Sequence, residues 1–353
     1  MNPIASPKKR IILSGMRPTG KLHLGNWMGA LSTWVRLQQE PDTQCYYMVA
    51  DWHALTTDYE NTERIETNIE EMVLDWLAAG IDPQKSVIFR QSWVGAHAEL
   101  ALILSMITPI SWLERNPTYK DQLNELKDRD IATHGFLGYP VLQAADILLY
   151  RATHVPVGED QLPHVELTRE IARRFNHLFS RDGNNIQLTE VQALLSSTPK
   201  VPGLDARKMS KSYNNCIDVA EDSEILRKKI FSMFTDPLKI KATDAGHPEP
   251  CEKNPSGCVV YAFHKIFKED SGGLIRRAQS CMDGTLGCVA CKKDLFARME
   301  NQILPQREER KKFSQKNKIV QEILEAGSRQ ADAMAQSTLD GVRKAIHFNV
   351  NPF

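Results

Sequence analysis

The sequence predicts an α/β fold in which a doubly wound, mostly parallel sheet is followed by a helical C-terminal domain. Short apolar runs of the kind that form buried strands alternate with amphipathic helical patterns, as in parallel sheets covered by helices. Beyond about Ile217 the strand pattern fades and helical patterns dominate. Ligands of such sheets bind beyond the carboxyl ends of the strands, so we expect the loops after Leu13, Ala50 and Val157 to line one site.

The first strand is predicted for residues 11–15, an apolar run with β-branched side chains. A Pro/Thr/Gly turn follows, and then a helix with apolar residues on one face. That face is formed by Trp27, Leu31, Trp34 and Val35. The unit recurs in residues 44–50, which suit a strand buried on both faces, and in an amphipathic helix over residues 65–77 that stops at Gly80.

The elements farther along the chain are a strand over residues 86–89 and an apolar helix over residues 139–150. Helical patterns then cover residues 223–234 and 295–303, with Pro-containing connections between them. The last stretch, residues 330–348, has apolar side chains near helical spacing, so we expect it to pack back on the first domain.

A chain of 353 residues exceeds the usual span of one hydrophobic core, which predicts more than one domain. We expect the α/β sheet domain in residues 1–216. A helical domain with a group of cysteines should follow in residues 217–325, and a C-terminal helix in residues 326–353.

Composition excludes some classes of protein. Its 44 basic residues balance 44 acidic ones, which argues against a histone-like or membrane-coating protein. The densest apolar stretch, residues 100–107, is far too short to span a bilayer, so we expect a soluble, cytoplasmic protein. Five of the seven cysteines lie in residues 251–291, which in a reducing compartment indicates a metal site rather than disulfides.

A loop with two glycines, residues 17–26, leads from the first strand into its helix, and we call it the glycine loop. Gly25 removes a side chain where the backbone must approach a ligand, and the helix start offers free N–H groups to a phosphate. His23 and Asn26 can add side-chain hydrogen bonds. Taken alone, such a segment is more often a tight turn with a surface histidine, because short motifs match by chance.

A second segment, Lys-Met-Ser-Lys-Ser at residues 208–212, lies in a polar, turn-rich stretch, and we call it the lysine loop. Two lysines and two serines in five residues suit a mobile clamp on a polyphosphate, whose charge must be neutralised as it rearranges. Alone, this segment could equally be a solvated basic loop.

Together the two loops resemble the paired signatures of the class I aminoacyl-tRNA synthetases. Those signatures are a proline, four residues and then His-x-Gly-His/Asn near the N-terminus, and a later Lys-Met-Ser-Lys-Ser loop. The second matches letter for letter, and Asn26 stands where many members have His, a variant found in the tryptophan and tyrosine branch. The resemblance implies a Rossmann-like domain that activates an amino acid with ATP and Mg²⁺ and joins it to tRNA.

The resemblance also implies catalytic roles. Lys208 and Lys211 would hold the leaving phosphates, and His23 and Asn26 would contact the α-phosphate side. Positioning and charge stabilisation suffice, so no covalent nucleophile is needed. The expected ATP contacts are Arg17, Pro18, Thr19, Gly25, Asn26, Gly158, Glu159, Asp160, Val201, Lys208, Met209, Ser210, Lys211 and Ser212. Arg17 stands where many relatives carry Gln, so the contact there is expected to differ in kind.

The predicted helix over residues 139–150 is apolar apart from one stripe, which consists of Tyr139, Gln143, Asp146 and Tyr150. The stripe could simply face solvent, or Asp146 could be a pocket acceptor, because a carboxylate among apolar residues needs a partner. This helix, residues 158–161 and residues 50–54 resemble the tryptophan branch of the family. On that resemblance Asp146 accepts the indole N–H. The other expected tryptophan contacts are Gly15, Tyr139, Gln143, His53 and Gln161.

A buried acceptor can discriminate tryptophan from phenylalanine by about 10⁴ to 10⁵, which removes the need for an editing domain. Two alternatives stay open. A tyrosyl enzyme is the close rival, because a phenol also donates to a carboxylate. The other is a synthetase-like regulator that binds nucleotide or RNA without catalysis, and the retention of Lys208, Lys211 and His23 argues against it.

The cysteines Cys258, Cys281, Cys288 and Cys291 are separated by 22, 6 and 2 residues. Four thiolates suit tetrahedral zinc or a 4Fe-4S cluster, and the spacing does not choose between them. Unrelated buried thiols are a third interpretation, and Cys251 is an alternative ligand. The pattern resembles a subset of bacterial tryptophanyl enzymes with a 4Fe-4S cluster in the anticodon-recognising domain, which implies iron.

Six basic residues face two acidic ones in residues 307–318. Such a run is usually a solvated helix face, but beside the cysteines it is also a candidate for contact with the anticodon arm of tRNA. The family is homodimeric through its nucleotide-binding domain, and we expect the subunits to meet in residues 100–126. The partners implied are tRNA, ATP, tryptophan and a second copy of the chain, without a membrane.

Overall fold

The computed structural model describes residues 9–116, 133–180, 186–195, 201–267 and 270–348. Within these ranges, five parallel strands form a sheet in the order β3-β2-β1-β4-β5. They are β1 Arg10–Met16, β2 Thr43–Val49, β3 Ser86–Arg90, β4 His154–Val157 and β5 Gln192–Leu195. The predicted α/β class with a parallel, doubly wound sheet and a helical C-terminal region is confirmed.

Helices cover the sheet and make up the C-terminal part of the chain. In the described ranges the α-helices are α1 Leu24–Asn26, α2 Ser32–Leu37, α3 Asp51–Asp58, α4 Ile65–Ala78, α5 Ala96–Ser105, α6 Ile110–Glu114, α7 His134–Leu149, α8 Leu162–Phe179, α9 Ser223–Ser232, α10 Val259–Ile266, α11 Ser271–Met282, α12 Cys288–Ser314 and α13 Ile319–Ala345. A π-helical stretch, Trp27–Leu31, joins α1 to α2, where the sequence predicts one regular helix.

Both faces of the sheet are buried. One face packs against α5, α7, α8 and α13, and Phe89 and Leu148 lie in that core. The other packs against α2 and α4, where Trp34 stacks on Tyr47 with ring centroids 4.5 Å apart and meets Trp76 edge-on. Burial on two sides explains why the strands appear in the sequence as continuous apolar runs.

The C-terminal helix α13 packs against the edge strand β3. A side chain at Gly327 would place its Cβ only 1.8 Å from the Ile88 carbonyl oxygen, so this close approach requires glycine. The helix begins at Ile319 rather than near residue 326, because Val320 and Leu324 extend its buried face upstream. None of the helices in these five ranges is both long and apolar enough to cross a bilayer.

A third core joins the helical region to the glycine loop. Leu226 of α9, Phe263 of α10 and Leu295 of α12 are fully buried against one another, and Leu24 and Met209 lie in the same cluster. The division into domains at residues 216 and 325 stays a prediction.

Candidate functional site

The strand order reverses at β1. The chain builds β2 and β3 on one side of β1 and then β4 and β5 on the other. In open parallel sheets the crevice beyond the carboxyl ends of the strands at such a reversal is the usual ligand site. The glycine loop leaves β1 at this edge, α3 follows β2, and the 3₁₀ turn Glu159–Gln161 follows β4.

Three backbone hydrogen bonds fix the glycine loop at the mouth of this crevice. The Leu22 N–H donates to Asp75 Oδ2 at 2.6 Å. The Leu24 N–H donates to the Ile217 carbonyl, and the Val219 N–H donates back to the Leu22 carbonyl, both at 2.8 Å. The loop is therefore held on one side by α4 and on the other by the segment that comes after the lysine loop.

The His23 side chain lies across the start of α1, because Gly25 leaves room for it. A Cβ at Gly25 would lie 3.0 Å from both Cε1 and Nδ1 of His23. Burial, and then the charges of Lys211 and Lys208, lower the pKa of His23 to about 4. The imidazole is therefore neutral at pH 7, and its buried Nδ1 has no hydrogen-bond partner in the described part of the chain. It can serve a phosphate as a hydrogen-bonding group while the lysines supply charge.

Asn26 has its amide oriented by the backbone. Its Oδ1 accepts the His23 N–H at 3.1 Å, so the Nδ2 donor is turned away from that bond. Pro18 is buried in the same loop, and Thr19 is exposed. The Asn26 amide and the exposed Thr19 hydroxyl give this rim of the crevice side-chain donors near the N-terminus of α1, which suits an anion.

The lysine loop reaches this rim. The Lys211 Nζ donates to the Thr19 carbonyl at 2.6 Å. Desolvation lowers the pKa of Lys211, and the charge of Asp218 opposes that effect. Asn215, which was not predicted from the sequence, holds the loop: its Oδ1 accepts the Ser210 N–H at 2.8 Å, and its Nδ2 donates to the Lys208 carbonyl at 3.1 Å. The two predicted nucleotide segments thus meet in space.

The remaining expected ATP contacts lie beside the lysine loop and in the turn after β4. Val201 and Met209 are buried against Leu24 and so support both loops. Gly158 precedes the turn Glu159–Gln161, where a Cβ at Gly158 would lie 2.6 Å from Asp160 Oδ1. The Ser212 side chain lies outside the described residues.

Asp146 on α7 is the most enclosed acidic group of the crevice, with 1% of its surface exposed. Its Oδ1 lies 2.6 Å from His97 Nδ1 and 2.9 Å from Gln91 Nε2. Its Oδ2 lies 2.8 Å from His53 Nε2 and 3.0 Å from the same Gln91 nitrogen. The interpretation that the stripe simply faces solvent is therefore wrong for Asp146, and also for Tyr150, which is fully buried.

The surroundings of Asp146 keep it ionised. Burial alone would raise its pKa, but the hydrogen bonds from His53 and His97 outweigh burial and lower the pKa below the ordinary range. Gln91 can only donate to Asp146, because its Oε1 accepts the Trp52 N–H at 3.1 Å. His97 Nε2 lies 2.7 Å from the Tyr150 hydroxyl, which can donate its proton to Nε2. The imidazole then carries its own proton on Nδ1, from which it donates to Asp146. The carboxylate is thus an acceptor only.

Gln91 and His97 were not predicted from the sequence. The available signal for Gln91 was its position directly after the buried strand β3, at the edge of the sheet where ligands bind, whereas His97 lies on α5, seven residues beyond that strand.

A second chain of hydrogen bonds lies beside Asp146. The Tyr139 hydroxyl is 2.7 Å from His164 Nε2, and His164 Nδ1 is 3.1 Å from Gln161 Oε1. Burial raises the pKa of Tyr139 to about 12, against the opposing charge of Arg17. The rings of His53 and Tyr139 meet edge-on with centroids 6.4 Å apart. Four of the predicted tryptophan contacts (Tyr139, His53, Gln161 and Asp146) are therefore neighbours.

Gly15 and Gln143 complete the predicted set. Gly15 is exposed near the carboxyl end of β1, where a Cβ would come within 3.2 Å of the Met48 side chain. Gln143 is half-buried on α7 between Tyr139 and Asp146. Arg17 is exposed, and its Nη1 donates to Thr57 Oγ1 at 3.1 Å.

The four cysteines of the predicted metal site all lie in the helical region and are half-buried. Cys258 precedes α10, Cys281 is near the end of α11, and Cys288 and Cys291 open α12. In the described ranges no three His, Cys, Asp or Glu side chains come close enough together to hold a metal ion. The thiols are nevertheless near enough to influence one another, because Cys281 and Cys288 both act on the pKa of Cys258.

The surroundings of these thiols are cationic. Burial raises the pKa of Cys291 to about 12, against the charge and hydrogen bond of Arg277, whose Nη1 lies 3.6 Å from Sγ. Lys239 acts on Cys281, and Lys292 interacts with Cys288, Cys258 and Cys291. These cations and the N-termini of two helices oppose the effect of burial, because positive charge favours a thiolate over a neutral thiol.

The basic run over residues 307–318 occupies the last turns of α12 and the short connection to α13. Arg310 is paired with α4, since its Nε donates to Asp75 Oδ1 at 2.6 Å and its Nη2 to Glu71 at 2.8 Å. Arg310 is separated from Cys291 by about 30 Å of helix. The expectation that the run lies beside the cysteines is therefore wrong, because one long helix carries the two at its opposite ends.

Known proteins resemble the chain over nearly all of its length. The family described as tRNA synthetases class I (W and Y) matches residues 6–304. The chain is 47% identical to the tryptophan–tRNA ligase of Thermotoga maritima over 339 residues, with 95% of this chain and 98% of that protein covered. It is 42% identical to the tryptophan–tRNA ligase of Aquifex aeolicus over 405 residues, with 95% and 99% covered.

A solved structure of similar fold is the tryptophanyl-tRNA synthetase of Campylobacter jejuni, crystallised with ADP and tryptophan. The two share a TM-score of 0.81 and 33% sequence identity over 96% of this chain and 100% of that one.

Proposed function

The chain belongs to the class I tRNA synthetases of the tryptophan and tyrosine family, and we propose that it joins L-tryptophan to tRNA in two steps. In the first, the tryptophan carboxylate attacks the α-phosphate of ATP and pyrophosphate leaves. In the second, a ribose hydroxyl of tRNA attacks the carbonyl carbon of the tryptophanyl-adenylate and AMP leaves. The observation that carries the proposal is an acceptor-only carboxylate, Asp146, in the same crevice as the paired glycine and lysine loops.

The first step requires positioning and charge stabilisation. We assign the leaving phosphates to Lys208 and Lys211, and the α-phosphate side to the neutral His23 and to Asn26. Mg²⁺ would bind mainly to the phosphates of ATP, since it favours substrate phosphates over all-protein ligand sets. Arg17, Gly158 and Asp160 would line the rest of the nucleotide.

Asp146 would select the amino acid by accepting the indole N–H. Tyr139, Gln143, Gly15, His53 and Gln161 would shape the surrounding pocket. A tyrosyl enzyme is the rival, and pyrophosphate exchange separates the two. We expect rapid exchange with tryptophan and exchange slower by about 10⁴-fold with phenylalanine. Faster exchange with tyrosine than with tryptophan would establish the rival, and no exchange with either would indicate a non-catalytic nucleotide-binding protein. Charging of tRNA with radiolabelled tryptophan tests the second step.

We propose that Cys258, Cys281, Cys288 and Cys291 hold a 4Fe-4S cluster that supports the helical region. Such a cluster would supply cohesion between α10, α11 and α12, and no step of the reaction passes through it. The cationic neighbours Arg277 and Lys292 favour the negative charge that four thiolates bring.

Anaerobic purification tests the cluster. We expect a brown protein that contains iron and acid-labile sulfide, and loss of both in Cys288→Ser, because a ligand is removed. Cys251→Ser is the matched control and should retain its iron, since Cys251 is exposed. A colourless protein that contains zinc would show that the site binds zinc rather than iron. A metal-free protein would show that the four thiols do not form a metal site.

We propose that the exposed lysines at the end of α12 contact tRNA. Arg307 and Arg310 are occupied by acidic partners, whereas Lys311 and Lys312 are exposed, and Lys312 pairs with the half-buried Glu309 nearby. On this assignment the nucleotide-binding domain activates tryptophan, and the proposed helical domain contacts tRNA. We call this the division of labour between the two domains.

The double variant Lys311→Ala/Lys312→Ala is expected to raise the Michaelis constant for tRNA about fivefold, because two phosphate contacts are lost. Tryptophan-dependent pyrophosphate exchange should not change. The control is Lys9→Ala/Lys85→Ala, which removes the same charge from lysines that bond to Gln44 and Gln39 on the sheet side. Altered pyrophosphate exchange in the first variant would argue against the division of labour.

We propose that the chain forms a homodimer through α5 and α6. Three large apolar side chains, Leu102, Met106 and Ile110, are 59%, 73% and 63% exposed within the predicted dimerisation segment. Adjacent exposed apolar residues of this size are typical of protein interfaces. The part of the segment from residue 117 onward lies outside the described residues.

Met106→Asp is expected to convert the dimer into a monomer, because a carboxylate would be desolvated at the interface. Sedimentation velocity measures the change. Ile240→Asp serves as the control, since Ile240 is 88% exposed but lies in the helical region. A wild-type chain that sediments as a monomer would disprove the proposal.

A further inference from the structure

The Asp146 carboxylate already accepts as many hydrogen bonds as it can. Each oxygen has two donor contacts, from His97 and Gln91 on Oδ1 and from His53 and Gln91 on Oδ2. An ionised carboxylate offers about four lone-pair positions. An indole N–H that donates to this group must therefore replace one of these contacts or shift it.

The three donors differ in how firmly they are held. Gln91 and His97 are both fully buried. The Gln91 amide is held through its Oε1 by the Trp52 N–H, and the His97 ring through its Nε2 by Tyr150. The His53 side chain is 11% exposed and faces the Tyr139 ring of the proposed tryptophan pocket. His53 is thus the donor that a ligand entering the pocket meets first.

We infer that, in the empty pocket, the His53 N–H occupies the position on Asp146 Oδ2 to which the indole N–H must donate. His53 is therefore displaced from Oδ2 when tryptophan binds. The inference rests on the proposed function and adds a specificity-determining role for His53. In the empty pocket the imidazole satisfies a buried carboxylate, which would otherwise lack a partner on that side. Tryptophan binding exchanges one hydrogen bond to Oδ2 for another. The selectivity for a ring that carries N–H is therefore set by the difference in free energy between the indole and His53 hydrogen bonds to Oδ2.

This competition predicts an unusual response to mutation. When the imidazole donor is removed, the full strength of the indole bond contributes to selectivity, so the preference for an N–H ring should increase. If the indole instead donates beside His53 while Gln91 withdraws from one oxygen, the preference should not change. If His53 helps to orient the indole, the preference should decrease.

The experiment compares two ligands. L-tryptophan and L-3-(benzothiophen-3-yl)alanine have nearly the same shape, but sulfur replaces the N–H in the second. Their dissociation constants are measured calorimetrically for the wild-type chain and for His53→Phe, which keeps a ring and removes the donor. We expect the ratio of the two constants to rise about tenfold in His53→Phe, as one hydrogen bond to a charged group predicts. His53→Gln, which restores an N–H at a similar reach, should bring the ratio back toward the wild-type value.

His164→Phe is the matched control. His164 is the other histidine of this pocket, but its Nε2 bonds to Tyr139 and not to Asp146. Its replacement should change both affinities together and leave the ratio constant. A ratio that is unchanged or lower in His53→Phe would overturn the inference. A wild-type chain that binds neither ligand, or that does not prefer tryptophan, would instead contradict the proposed function.

A second measurement uses only the wild-type chain and so does not depend on the folding of a variant. Imidazole protons that bond to a carboxylate give separate proton resonances far downfield in the NMR spectrum. We expect one such histidine signal to disappear on addition of tryptophan and to persist with the benzothiophene analogue, while the signal from buried His97 persists in both. Persistence of both signals with saturating tryptophan would refute the displacement of His53.

Discussion

Replacement of Lys211 by alanine is expected to lower the rate of tryptophan-dependent pyrophosphate exchange by about a hundredfold, the cost of one lost donor to a developing charge. The structure supports this expectation because the Lys211 Nζ already reaches the glycine loop, 2.6 Å from the Thr19 carbonyl. The ammonium charge therefore lies where a polyphosphate at the N-terminus of α1 would need it. A solvated basic loop would make no such contact.

The measurement should separate chemistry from binding. Tryptophan affinity in Lys211→Ala is expected to stay at the wild-type value, because the loss concerns the phosphates alone. Lys21→Ala is the matched control, since Lys21 belongs to the same glycine loop but its Nζ lies 3.9 Å from Glu71 and its side chain is 58% exposed. A wild-type rate of pyrophosphate exchange in Lys211→Ala would show that Lys211 of the lysine loop takes no part in the activation of tryptophan.

The sequence was sufficient for features that arise from neighbouring residues. Apolar runs between turns located β1, β2 and β3, whose central residues are buried, and the letters of residues 208–212 located the lysine loop. No strand bounds were predicted for β4 and β5, which are short and partly exposed. The stripe on α7 correctly set Asp146 apart from its apolar neighbours. In each case the signal lies within one element or one loop, where spacing along the chain determines spacing in the fold.

Features that join distant residues were not predictable in this way. Gln91 is 55 residues from Asp146, and Arg310 is 235 residues from Asp75, so no local pattern connects either pair. The basic run was misplaced for the same reason, since its position depends on the length of α12 and on the acidic partners that α4 offers at the far end. Sequence patterns suggested that Asp146 needs a partner, and only the packing of α3, α5 and the turn after β3 against α7 supplied its three partners.

The substitution Asp146→Asn is expected to lower kcat/KM for tryptophan by about a thousandfold, on the scale of breaking a buried, hydrogen-bonded charge. The amide of Asn keeps the shape of the carboxylate but offers only one acceptor oxygen and adds two N–H donors. One of the groups that now donate to Asp146, Gln91 or His97, would then face another donor. The indole N–H would lose its acceptor, whereas ATP affinity should stay constant.

A loss of this size must be distinguished from general damage to the fold. Asp236→Asn is the matched control, because Asp236 is also buried, with 4% of its surface exposed, and also bonds to a histidine, His247, at 2.7 Å. Both variants should lose some thermal stability through a broken aspartate–histidine pair, but only Asp146→Asn should lose the selection of tryptophan. If Asp146→Asn kept a wild-type Michaelis constant for tryptophan, the indole would have to be recognised elsewhere in the crevice. The assignment of the substrate would then rest on the family alone.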